Sequence, residues 1–243
     1  LIVIADLPEL RDHAPVFADR AAAGRALARL LEGYRASGAL VLAIPAGGVP
    51  VAAEIAAQLA LELDVAPVSK MLLPWTTESG FGAVAFDGST WMEPQAARYY
   101  GLTPAQIEHA AAVAREKVGR RLARLRGGRA AFALAGRTAI VVDDGVAAGS
   151  TMRAAVAALR KLEPARIVIA VPTGSARSLE RLEPIAEEIC CANLRYGASF
   201  AVADAYERWY DVGEDEVAAI LAAAGKDGAG ERASRAKDVT SDR

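Results

Sequence analysis

Cysteine and histidine are scarce in this chain of 243 residues, which holds two of each: Cys190 and Cys191, His13 and His109. Adjacent cysteines are too close for an ordinary structural disulfide, and two are too few for a thiolate metal site. They read instead as two small apolar residues in or near a strand. With so few histidines, no Cys–His or Ser–His pairing is evident. Excess charge of one sign is also missing. The formal net charge is −2, which argues against a general nucleic-acid-binding surface, so no nucleic-acid partner is expected. No stretch of about 18 residues is free of charge and turn signals, so no membrane-spanning helix is expected. The first residues lack a basic segment ahead of an apolar core, and Leu1 in place of Met reads as a trimmed or incomplete start; a cytoplasmic protein is the default expectation.

What is present is apolar and alternating. A hydrophobic share of 53% is ample for a core, and the length suits one large or two small domains. Residues 21–34 carry helical periodicity, with Leu27, Leu30 and Leu31 on one side and Arg20, Arg25 and Arg29 expected to be exposed. A buried strand is expected over 39–44, a helix over 50–63 and a strand over 64–68. Between Leu72 and Met92 the pattern breaks into short β-like pieces punctuated by Pro74, Gly80, Gly82 and Gly88. A long helix opens at Thr103, with Pro104 at its first position and Gln106 completing a capping box. Its bases Arg115, Lys117, Arg120, Arg121, Arg124 and Arg126, with Arg129 beyond them, read as a solvated face. A strand over 139–142, a helix over 152–162, a strand over 166–171, a helix from Ser175 and a strand over 188–192 follow. Alternation of this kind gives an α/β fold with a central, mostly parallel sheet flanked by helices. Beyond Leu221 the composition turns polar, and 226–243 is expected to be a disordered tail after a domain over 1–225.

The most informative stretch runs from Thr138 to Thr151, where an uncharged β-branched strand ends in Asp143 and Asp144 and then in a small-residue loop. Open α/β sheets bind ligands at the carboxyl ends of their strands. Ala147, Ala148, Gly149, Ser150 and Thr151 can bring backbone N–H groups close to an anion at the start of a helix, which Ser150 is suited to cap. A Walker A loop is excluded because no Gly-Lys-Ser/Thr triplet occurs. A haloacid-dehalogenase-type phosphatase needs Asp-X-Asp, whereas these acids are adjacent. A receiver domain needs a phospho-acceptor Asp ending a later strand, and the strand over 166–171 runs instead into Pro172-Thr173-Gly174.

This segment resembles the phosphoribosyl-pyrophosphate (PRPP) motif of the type I phosphoribosyltransferases. Ala148 stands where that family usually has Thr, so one hydroxyl to the 5′-phosphate is missing. The resemblance implies that Asp143 and Asp144 hold the ribose hydroxyls and that 147–151 holds the 5′-phosphate. The loop Ile44-Pro45-Ala46-Gly47-Gly48-Val49-Pro50-Val51 is similar to the pyrophosphate loop of a group carrying Pro-Arg-Gly-Gly-Val-Pro-Val, with Ala46 in place of the Arg, so that a guanidinium for pyrophosphate is absent there. Lys70 stands where such enzymes put a basic residue on pyrophosphate. The glycine-containing segment from Leu72 to Val84 resembles the family's flexible loop, in which Trp75 and Phe81 would shield the reacting carbon and Glu78 would be exposed, with simple packing of the two aromatics as the other reading.

Near the C-terminus, Phe200, Asp204, Tyr206, Trp209 and Tyr210 form a cluster where the family builds a hood, expected mainly over 190–212. Trp209 offers a face for stacking on a planar acceptor, with a hydrophobic plug under the C-terminal helix as the other reading. Thr173 is a second candidate for touching the acceptor. The resemblance covers residues 17–221. It implies PRPP bound with Mg2+, transfer of ribose 5-phosphate to a small nitrogen-containing acceptor, release of pyrophosphate, and nucleotide metabolism as the setting, with a homodimer compatible with it. A non-catalytic PRPP- or nucleotide-binding regulatory protein is the rival reading, favoured by Ala46 and Ala148, and a nucleoside or sugar-phosphate hydrolase is a third.

Overall fold

The computed structural model describes residues 4–77, 79–127, 132–197 and 201–224. The polar tail from 226 onward, Phe200, Glu78 and Arg129 lie outside the described residues. Its centre is a six-stranded sheet in the order β1-β9-β8-β7-β2-β3, with every pairing parallel. The strands are β1 (Ile4–Ala5), β2 (Leu40–Ala43), β3 (Glu62–Val65), β7 (Thr138–Val142), β8 (Arg166–Ser175) and β9 (Glu188–Arg195). The inner strands are apolar on both faces, as a sheet covered on both sides requires.

Alternate side chains feed two separate layers. Val41, Ala43, Ile140, Val142 and Cys190 pack with Leu27 and Leu31 of α1 (Arg20–Leu30) and its following turn, and with Ile55 and Leu59 of α2 (Gly48–Leu59). Leu40, Leu42, Val141, Ile169 and Cys191 pack on the opposite side with Met152, Val156 and Leu159 of α5 (Ser150–Arg160). Both thiols are buried and free.

Several expectations about the elements need correction. The helix expected over 21–34 ends at Leu30, and Glu32–Tyr34 is a 3-10 turn. α2 begins two residues before Pro50 and stops at Leu59, because Ala60 turns to a left-handed φ of 51°. The strand expected over 64–68 is cut in two. Val65 ends β3, whereas Val68 opens β4 (Val68–Leu72) in a second, antiparallel sheet, and Pro67 between them has no N–H with which to continue a ladder.

That second sheet holds β4, β5 (Gly80–Ala85) and β6 (Thr90–Met92) in sequential order, the last two joined through Asp87 and Gly88 at a φ of 79°. Here the expected loop over 72–84 is largely a built sheet. Phe81 and Val84 are buried with Leu73 against Ala111 and Ala114 of α4 (Pro104–Arg126), so among the described residues only 74–77 and 79 of this stretch lie outside the strands and that cluster. α3 (Ala96–Tyr100) precedes α4, whose Thr103 and Gln106 make the expected capping box.

β8 runs on through Thr173 and Gly174 to Ser175, past the expected end at 171, and Ser175 caps the short α6 (Ala176–Glu180). Residues 188–195 belong to the core sheet, so the first part of the stretch expected as a hood is a core strand. Residues 201–210 cross the start of α1, with Glu207 N–H on Phe17 O at 2.8 Å and Arg208 N–H on Ala18 O at 3.1 Å. Residues 214–224 are helical. Among the described residues, no helix is long and apolar enough to cross a membrane.

Candidate active site

The carboxyl ends of β2 and β7 lie side by side, Ala43 paired with Val142, and the two loops leaving them build the site. Ile44 N–H donates to Val142 O at 2.8 Å, extending the pairing one residue past the strand. The chain then turns through Pro45, whose peptide bond to Ala46 is cis, into Gly47 and Gly48. Gly47 has an ordinary φ of −59°, so glycine is there for space rather than for conformation. A Cβ on it would lie 1.9 Å from Asp144 Oδ2, and one on Gly48 would lie 2.7 Å from Val142 O. The small residues of one loop thus admit the carboxylate of the other.

Asp143 and Asp144 stand at the end of β7, as expected. Asp143 Oδ1 accepts the Asp144 N–H at 2.9 Å. Burial raises the proton affinity of Asp143 far above that of an ordinary carboxylate, the Asp144 charge adds to this, and Lys70 opposes it. Burial also raises Asp144, but the Arg20 guanidinium counters it. Both carboxyl groups are thus pushed above the ordinary carboxylate range, Asp143 the further, because the Arg20 guanidinium offsets part of the burial of Asp144.

Arg20, expected on an exposed face, is instead buried, with a residue exposure of 5%. Nε and Nη2 donate to Asp144 Oδ2 at 3.0 and 2.9 Å, while Nη1 donates to Tyr210 O at 2.9 Å. The guanidinium carbon lies 4.0 Å from the centre of the Trp209 ring. Tyr206, packed 5.2 Å from Trp209, donates its hydroxyl to Asp144 O at 2.6 Å. A signal for Arg20 exists in the sequence: it shares the helical stripe of Ala23, Gly24, Leu27 and Leu31.

The small-residue loop is held from below. Val146 N–H donates to Thr173 O at 2.9 Å, and Ser178 Oγ donates to Ala147 O at 2.5 Å. Ala147 and Ala148 are exposed. Gly149, at a φ of 83°, caps α5 without a side chain, so Ser150 is its first residue and not its cap. Thr151 is half-buried in the first turn. The first-turn N–H groups of α5 therefore face this loop with no side-chain cap on them.

Lys70 lies within β4 and not after a strand; it is exposed, and its charge reaches Asp143. Ala46 is half-buried against the core. Thr173 is fully buried and its hydroxyl is committed to Asn193 Oδ1 at 2.8 Å. Trp209 is 40% exposed, with one face taken by Arg20. Phe81 is buried away from the site, whereas Trp75 is exposed and packs 6.5 Å from Tyr100. The basic stripe of α4 is only partly solvated. Arg121 donates to Pro45 O at 3.2 Å and to Glu214, and Arg126 reaches Asp64 at 3.0 Å.

A family model described as "Phosphoribosyl transferase domain" matches residues 17–193. Proteins provisionally named phosphoribosyl transferase from Mycobacterium tuberculosis strains H37Rv and CDC 1551 are 36% identical over 212 residues, 87% of this chain and 48% of theirs. The chain thus spans about half the length of the curated relatives it matches. The crystal structure of TT1426 from Thermus thermophilus is 37% identical, covering 84% of this chain and 97% of that one, with a TM-score of 0.69.

Proposed function

Because the chain belongs to the phosphoribosyl transferase family, we propose that it binds PRPP with magnesium and transfers ribose 5-phosphate to a nitrogen acceptor, releasing pyrophosphate. The observation that carries this reading is the convergence of the Asp143–Asp144 pair, the uncapped first turn of α5 and the Gly47–Gly48 loop at the carboxyl ends of the two central strands β2 and β7. Hydroxyl groups of a ribose suit two adjacent carboxyl groups, whose oxygens can accept from them. A 5′-phosphate suits Ala147 to Thr151, where N–H groups and the helix dipole favour an anion. A diphosphate leaving from the ribose anomeric carbon would extend toward Gly47, Gly48 and Lys70.

Among the described residues, no group of three or more His, Cys, Asp or Glu is placed to hold a metal ion. Magnesium commonly binds through substrate phosphates plus one or two carboxylates, and this donor set fits an ion that arrives with the diphosphate. When bound, it supplies charge neutralisation of the leaving group. The protein's own part is positional. Asp143 and Asp144 fix the sugar, the α5 turn fixes its far end, and Lys70 adds positive charge where the departing oxygens gather. The bond from the anomeric carbon to pyrophosphate breaks with its electron pair on pyrophosphate, the acceptor nitrogen bonds to that carbon, and the acceptor gives up a proton. Trp209, 40% exposed, is the aromatic residue offered for a planar acceptor.

A second reading, PRPP or nucleotide binding without turnover, is favoured by a specific observation: Asp144 Oδ2 is already occupied by Arg20, while Ala46 and Ala148 remove two polar contacts. One experiment separates the two. PRPP is titrated with and without magnesium, and nitrogen bases are then screened for pyrophosphate release. Release with any acceptor supports the transferase; tight PRPP binding with no release from any of them supports the binding protein; no PRPP binding sinks both.

A further inference from the structure

We propose that Arg20 is a positioning residue that aims Asp144 at the sugar and couples that carboxylate to the aromatic segment 206–210, so that filling the sugar site is felt at Trp209. The proposal rests on the sugar-phosphate reading of the site.

Three contacts made by one side chain carry it. Arg20 grips a single oxygen of Asp144 with two N–H groups at 3.0 and 2.9 Å, which fixes the carboxylate rotamer and leaves Oδ1 clear of the guanidinium. Its third nitrogen holds Tyr210 O at 2.9 Å, so the guanidinium also anchors the chain that crosses the start of α1. Its flat face covers Trp209 at 4.0 Å, close enough for a cation–π contact, with Tyr206 and Tyr210 at 5.7 and 5.5 Å. Tyr206 closes the ring by donating to the Asp144 carbonyl. Because Arg20 is almost wholly buried, any turn of the Asp144 carboxylate must be followed by the guanidinium or break two charge-assisted hydrogen bonds. A shift of that guanidinium alters the field on the Trp209 indole. Lysine cannot reproduce this arrangement, since its ammonium lacks the planar fork.

The test uses the full chain with Trp75→Phe and Trp91→Phe, leaving Trp209 as its one indole. Calorimetry with magnesium measures ribose 5-phosphate, PRPP and pyrophosphate, and Trp209 emission is followed in the same titrations. In the parent, ribose 5-phosphate and PRPP are expected to shift the emission. In Arg20→Gln, both should bind at least tenfold more weakly, pyrophosphate should bind unchanged, and the emission response to sugar should vanish. Arg20→Lys should recover part of the affinity but not the emission response, and it serves alone if the glutamine variant does not fold. Parent-like sugar affinity together with a persisting Trp209 response in either variant overturns the proposal while leaving the site reading intact. Failure of the parent to bind either sugar overturns both.

Discussion

Gly47 and Asp144 are fitted together: the position of a Cβ on Gly47 falls 1.9 Å from Asp144 Oδ2. The loop leaving β2 and the acid leaving β7 therefore cannot be altered independently. Gly47→Ala is expected to displace the Asp144 carboxylate and its Arg20 partner, costing about 1–3 kcal/mol of stability in the manner of other overpacked interiors. Urea unfolding measures the stability and calorimetry the PRPP affinity. An unchanged midpoint with unchanged PRPP affinity would mean the two loops yield freely.

The half-buried acid pair sets a pH dependence whose sign is fixed. Asp143 has a folded proton affinity well above that of the free side chain, whose pKa is 3.8. The native state then holds more protons than the unfolded state above that pH, so the Asp143 contribution to stability is greatest at low pH and is lost as pH rises toward the folded value. Asp143→Asn removes the cost. It is expected to melt higher than the parent at neutral pH, with a gap that narrows toward pH 4, and to bind ribose 5-phosphate more weakly. Melting curves across a pH series are the check, and a constant gap would refute the assignment.

Lys70, exposed on the antiparallel sheet, adds a favourable charge to Asp143. Lys70→Ala should impair pyrophosphate and PRPP more than ribose 5-phosphate, and the difference should shrink as salt is raised because Lys70 is exposed. Equal losses for all three ligands, or none for pyrophosphate, would mark an ordinary surface lysine.

Ala148 is exposed on the loop that precedes α5. Supplying the missing hydroxyl with Ala148→Thr should tighten binding of a 5′-phosphate by at most about 1.5–3 kcal/mol, the range for a hydrogen bond to a charged group. A neutral outcome in calorimetry would indicate that the α5 backbone already saturates the phosphate.

The parts of this fold that can be read from the chain are those whose causes are local. The β-branched run of β7, the glycines of its loop and the Thr103-Pro104-Gln106 start of α4 each follow from nearby residues. The break at Pro67 is hidden because Val65 to Val68 reads as one apolar run, and only pairing with distant strands decides which sheet each half joins. Phe81 lies in a glycine-rich stretch that suggests a loop, yet its burial depends on α4 arriving about thirty residues later. Arg20 misleads for a related reason. Its type suggests solvent, and its partners Asp144, Trp209 and Tyr210 are all more than a hundred residues away in the chain.

Cys190 and Cys191 occupy one strand but belong to opposite layers of the core, and burial pushes both thiols well above their usual range. Neighbours in sequence thus act as separate sentinels. A thiol reagent reaches Cys190 when the α1–α2 side opens and Cys191 when the α5 side opens. With Cys190→Ser and Cys191→Ser as single variants, labelling kinetics would follow each side of the sheet in turn and tell whether the two faces come apart together or one before the other.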